Sequence, residues 1–173
     1  MQDRKFPIGP LVLQPTYTPD ERRHAIEVLE TSPSHYRQLV GHLSPTDLAR
    51  TYREGSWTIQ QLVHHVADIQ LLHYFRMKKA LTEPDYETAT MFDMNAWAST
   101  ADATTAPIED SLLLFDGVNR RYVCLAKSLD STTLAIRYYN PVRQFWVDQA
   151  QALAMSAWHV QHHLAHIRLA LAS

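Results

Sequence analysis

The sequence predicts an all-α fold: a four-helix bundle with an extended N-terminal arm and a short extended segment before the last helix, forming a single domain over residues 1–173. Three observations predict it. Only four glycines stand against nine prolines, and the prolines repeatedly follow a Ser, Thr or Ala where an apolar helical pattern begins. Three of the long periodic stretches open on a capping box, in which a Ser, Thr or Asp is followed three residues on by Glu or Gln. Finally, 46% hydrophobic and 20% charged residues in a chain of 173 is a globular balance, and a chain of this size can remove about 70% of its unfolded surface from water. Neither metal nor disulfide is then needed for folding, so a metal site would be functional.

Residues 1–17 contain Pro7, Pro10 and Pro15 and show no period, which with Leu11, Val12 and Leu13 reads as an arm lying on the domain. Thr18-Pro19-Asp20-Glu21 supplies an N-cap, a proline at the first helical position and a reciprocal Glu, starting a helix that runs to about Gly41. Pro33 should kink or interrupt it, because proline removes one donor and clashes with the preceding turn. A short helix is expected at Ser44-Pro45-Thr46-Asp47. Thr58-Ile59-Gln60-Gln61 opens a second long helix, about 59–81, that ends before Pro84. Residues 84–106 read as irregular, with one turn around Asn95-Ala96-Trp97. A third helix is expected from Pro107 to about Ser128. Leu134 to Val147 is β-branched and aromatic around Asn140-Pro141, which suits two extended pieces and a turn. Asp148 and Gln151 cap a last helix reaching about Ala172.

Charge and cysteine content exclude several functions. Sixteen Lys+Arg against eighteen Asp+Glu leave a formal charge of -2 without any basic run, so nothing attracts a phosphate backbone and no nucleic-acid partner is expected. No stretch approaches the roughly 18–20 apolar residues of a bilayer span, and mean hydropathy is -0.28, so no membrane insertion is expected. The lone Cys124 and the start MQDRKFPIGP, which has no continuous apolar run, point to a reduced cytoplasmic protein. Cys124 itself reads as a buried apolar residue.

Ten histidines are present, seven of them in two windows: His64, His65 and His73, then His159, His162, His163 and His166. At about 100° per residue the helix faces can be counted. In the last helix Leu153, Val160, Leu164, Ile167 and Leu171 form the core stripe. His163 lies about 80° and His159 about 120° from its centre, against about 140° for His166 and about 180° for His162. In the second helix His65 falls about 70° from the stripe of Ile59, Leu62, Val66, Ile69, Met77 and Ala80, and His64 about 170° away. His65, His159 and His163 therefore border the interior, while His64, His162 and His166 point outward. His73 faces inward but sits roughly 12 Å along the axis from His65 and reads as a hydrogen-bonded core residue. His24, His35 and His42 read as surface positions.

Histidines at i and i+4 can present nitrogens to one ion. Val160-Gln161-His162 supplies no Glu for a zincin-type base. With His65 from a facing helix, the pair His159 and His163 would make a three-histidine site with coordination positions left open, the form of a catalytic centre. Asp68, one turn after His65, and His162 are candidates for orienting the ligands. No protein acid or base can be assigned from spacing, since Asp68, Glu54 and Tyr74 depend on distances.

The stretch Tyr52-Arg53-Glu54-Gly55-Ser56-Trp57-Thr58 running into Val63-His64-His65-Val66-Ala67-Asp68, with Ala157-Trp158-His159-Val160-Gln161-His162-His163 at the end, resembles the YfiT-like branch of the DinB superfamily of metal-dependent enzymes. Phe6-Pro7-Ile8-Gly9, Ala96-Trp97-Ala98 and Pro107-Ile108-Glu109 extend the resemblance over nearly the whole chain. The sequence departs from the family at Ile69-Gln70-Leu71-Leu72 and at Val160, where relatives carry glycine. The resemblance implies a four-helix bundle, a homodimer, and a zinc or nickel ion held by His65, His159 and His163. It also implies a small-molecule substrate and either of two chemistries, hydrolysis by activated water or transfer of a low-molecular-weight thiol. The rival readings are a non-catalytic metal-binding or stress-response bundle, binding loosely through His162 and His166 as well, and a helical interaction protein with adventitious metal.

Overall fold

The computed structural model describes residues 3–172; the first two residues of the expected arm and the last residue of the chain lie outside this range. The elements are α1 (Pro19–Val40), α2 (Pro45–Leu48), α3 (Ile59–Thr82), α4 (Met94–Trp97), α5 (Ala101–Thr105), α6 (Ile108–Lys127), α7 (Ser131–Leu134), β1 (Arg137–Asn140), β2 (Phe145–Asp148) and α8 (Gln149–Leu171). All three expected capping boxes form, from Thr18 with Glu21, Thr58 with Gln61 and Asp148 with Gln151. The short helices α5 and α7 fall in stretches whose sequence carries too few apolar positions to show a period.

The long helices α1, α3, α6 and α8 form the bundle, with α1 and α3 each packing on both α6 and α8. Cross-bundle pairs fix the directions. His64 meets Ser111 and Gln70 meets Asn119, so α3 and α6 run parallel. Ser156 meets Gln70 and His159 meets His65, so α8 runs against α3. Two parallel neighbours cannot be joined by a tight turn, and residues 83–107, carrying α4 and α5, make the long return from α3 to α6.

Of the kink or interruption expected at Pro33, the interruption does not occur. The helix is continuous, and the carbonyl that loses its donor is that of Leu29, four residues earlier. The Asn119 side-chain amide of α6 donates to that carbonyl. Asn119 Oδ1 accepts from Gln70 Nε2 at 2.5 Å, Gln70 Oε1 accepts from Ser156 Oγ at 2.7 Å, and Ser156 Oγ lies 3.0 Å from His73 Nδ1. A buried polar chain thus ties all four helices, and His73 is the hydrogen-bonded core residue its position in the sequence predicts.

β1 and β2 pair antiparallel with Arg137 opposite Asp148 and Asn140 opposite Phe145. Tyr138 and Val147 pack with Ala80, Ala89, Ala152 and Met155 in a second, smaller core to which Leu11 and Leu13 of the arm contribute. The arm is held by Gln151 Nε2 donating to the Gln14 carbonyl at 3.0 Å and Trp158 Nε1 donating to the Gly9 carbonyl at 3.3 Å. Cys124 is exposed rather than buried: Tyr122, Val123 and Ala126 take the inward face of α6, and Cys124 shares the outward face with Arg120, Arg121 and Lys127.

Candidate metal centre

The side chains of His65 from α3 and of His159 and His163 from α8 converge, each offering a nitrogen within 4.8 Å of the others. His65 and His163 are buried and His159 is partly so. His65 Nε2 lies 3.2 Å from His159 Nε2. Two nitrogens on one tetrahedral ion with bonds of about 2.0–2.1 Å stand about 3.3 Å apart, so the spacing of this pair suits a shared ion. Burial pushes the His65 imidazole down to about 3 and those of His159 and His163 well below their ordinary value. Neutral imidazoles are the metal-binding form, and no carboxylate belongs to the group.

The proton on His163 is fixed by its neighbours. The Lys5 carbonyl can only accept, so His166 Nε2, 3.2 Å away, carries a proton and donates to it. Burial holds His166 below its ordinary pKa, so neutral His166 presents Nδ1 as a lone pair, 3.3 Å from His163 Nδ1. His163 Nδ1 then donates, and its Nε2 is left as the free lone pair. Trp57 packs against His65 with ring centroids 4.6 Å apart, delivered by a turn in which Gly55 takes φ +66, a conformation that favours glycine.

His162 and His166 are buried, against the outward positions that face counting assigns them. That arithmetic allows one core stripe per helix, whereas the arm and the segment before α3 cover a second face of α8. His166 stacks on Tyr52 with centroids 3.9 Å apart, and His162 stacks on Trp158 at 4.2 Å with Phe6 nearby. His162, His163 and His166 form a second group with ligand-competent nitrogens within 4.8 Å, and among the described residues His162 Nδ1 is buried without a partner, as is His159 Nδ1. His64 is likewise buried rather than solvated. The Ala106 carbonyl accepts from its Nε2 at 3.2 Å, and Ser111 Oγ lies 2.7 Å from its Nδ1, so it clips α3 to the start of α6. His24, His35 and His42 are exposed as expected.

Asp68 makes no hydrogen bond to His65 or to any other described residue. Burial, then the Asp102 carboxylate, raises its pKa from 3.8 to about 6. An acid raised in the folded state still holds a proton that the unfolded chain has released, so stability falls as pH rises between about 4 and 6. Asp68→Asn is expected to flatten that slope and to stabilise the protein at pH 7 by about 1 kcal/mol, allowing for solvent screening of a half-exposed carboxylate. Urea unfolding at pH 4.5 and pH 7 checks this, and an equal gain at both values would refute it. Glu54 is exposed, and Tyr74 packs with Tyr122, on the α6 side of α3.

A cavity of about 170 Å³ opens beside the cluster, lined by His159 and His73 together with Arg76, Arg143 and Trp158. Sequence spacing gives no sign of it, because α3, the segment after it, the β-hairpin turn and α8 each contribute part of its wall.

The DinB superfamily model matches residues 29–167. The Oceanobacillus iheyensis protein named "Putative metal-dependent hydrolase OB0413" is 38% identical over 171 residues, covering 99% of this chain and 97% of that protein. YfiT of Bacillus subtilis, which carries the same descriptor, is 32% identical over 164 residues, covering 94% and 90%. The solved structure of YfiT, described as a four-helix bundle of unusual topology, superposes with a TM-score of 0.91 over 95% of this chain and 94% of its own. A mycothiol-dependent maleylpyruvate isomerase shares the fold at a TM-score of 0.67 and 17% identity, over 84% of this chain and 60% of its own. The chain belongs to the DinB superfamily.

Proposed function

We propose that this protein is a metal-dependent enzyme acting on a small molecule, with one divalent transition ion, zinc or nickel, held by His65, His159 and His163. The observation that carries the reading is the meeting of three neutral imidazoles without a carboxylate, two of their nitrogens 3.2 Å apart, at the edge of a cavity. Bound there, the ion would supply Lewis-acid chemistry that activates water for hydrolysis or a low-molecular-weight thiol for transfer. The protein's own residues do the positioning. His166, anchored on the Lys5 carbonyl, aims the His163 lone pair; Trp57 covers the His65 ring on one side; the cavity admits the substrate on the His159 side.

The reading also takes the protein to be cytoplasmic, from its single cysteine, and homodimeric, from the family resemblance. No helix among the described residues is long and apolar enough to cross a membrane. A second reading, a non-catalytic metal-binding bundle, draws support from the second group His162, His163 and His166. Turnover by metal-loaded and chelator-treated protein separates the two, with an ester and amide panel in one arm and a thiol plus an electrophile in the other. Metal-dependent turnover in either arm is the expected result and names the chemistry. No turnover, with more than one ion bound per chain, would establish the buffer instead.

A further inference from the structure

We propose that the cavity beside His159 binds a small organic carboxylate with an aromatic or branched apolar body. The inference deepens the enzyme reading by naming the class of molecule brought to the histidine cluster. The cavity holds about 170 Å³, close to the roughly 150 Å³ of an apolar cavity that takes up benzene, so the body is about one ring in size. Its apolar wall comes from Ile69, Leu72, Phe92, Met155 and Trp158.

Two arginines and an asparagine amide bring donors to that wall. Arg76 is 4% exposed and forms no ion pair with any described residue. Its Nε and Nη2 both donate to the Thr90 carbonyl, and Nη2 lies against Met91 Sδ. Its Nη1 has no hydrogen-bond partner among the described residues. A buried guanidinium without a counter-ion is costly, and no Asp or Glu lines the cavity.

Arg143 reaches the same cavity from the β-hairpin turn and likewise forms no ion pair or side-chain hydrogen bond with the described residues. Asn140 builds that turn: its Oδ1 accepts from the backbone N–H groups of Val142 and Arg143, both at 3.1 Å. Asn140 lines the cavity, and its Nδ2 has no hydrogen-bond partner among the described residues. Arg76 Nη1, the Arg143 guanidinium and the Asn140 amide, donors with no acceptor among the described residues, match a carboxylate, which offers about four lone-pair sites and takes arginine forks well.

Calorimetric titration of chelator-treated protein with benzoate, benzamide and phenyl phosphate tests the proposal apart from any metal. Benzoate should bind at least about tenfold more tightly than benzamide, its uncharged counterpart. Arg143→Gln should weaken benzoate by about tenfold while leaving the fold intact at its exposed turn, and Arg143→Lys should restore part of the loss. Equal binding of benzoate and benzamide, an unchanged Arg143→Gln variant, or tighter binding of phenyl phosphate would each overturn it. Metal content measured on the same samples keeps the two readings distinct: if the three-histidine assignment fails, benzoate binding survives, and if the carboxylate site fails, metal binding survives.

Discussion

His163→Ala is expected to abolish stoichiometric metal binding while leaving the helical content unchanged. The expectation rests on His163 being shared by both histidine groups, with His65 and His159 on one side and His162 and His166 on the other. Structural zinc sites of four ligands bind with about 10–16 kcal/mol, or about 3 kcal/mol per ligand, which is more than a hundredfold in Kd for each ligand removed. His65→Ala and His159→Ala should cause the same loss, and His162→Ala little change. The reverse pattern, with His162→Ala decisive and His65→Ala silent, would move the ion to the second group and away from the cavity beside His159. His166→Phe should keep the stack on Tyr52 but lose the acceptor for His163 Nδ1, weakening metal binding by about 10- to 100-fold. Elemental analysis and competition with a chromophoric chelator measure all of these.

What the sequence reveals of the fold depends on whether its cause is local. Thr58 with Gln61 and Asp148 with Gln151 mark helix starts because the reciprocal bonds lie within one turn. The faces of His65, His159 and His163 come out inward because each borders the main core stripe of its own helix. His64, His162 and His166 come out wrongly because what covers them is remote in sequence: the Ala106 carbonyl and Ser111 for the first, Lys5, Phe6 and Tyr52 for the others. A helix buried on more than one face has no single stripe to count from. The pairing of Arg76 with Arg143 is invisible for the same reason, since 66 intervening residues separate two side chains that only the tertiary fold brings to one cavity.

Pro33 shows the same limit in the core, and its consequence can be measured. Asn119→Leu should destabilise the protein by about 2–4 kcal/mol, because it removes the donor to the Leu29 carbonyl and the acceptor for Gln70 Nε2 in one step, and a buried polar group left unpaired costs about 1–3 kcal/mol. At this chain length that is a fall in Tm of roughly 5–12 °C. The double variant Pro33→Ala, Asn119→Leu separates the two losses. Alanine restores a backbone N–H four residues after Leu29, so the carbonyl regains an intrahelical donor while Gln70 does not. The double variant should therefore recover about half of the stability lost by Asn119→Leu, a coupling visible in a double-mutant cycle of chemical denaturation. Strict additivity would mean that the Leu29 carbonyl does not need Asn119, and that α1 tolerates its proline through packing alone.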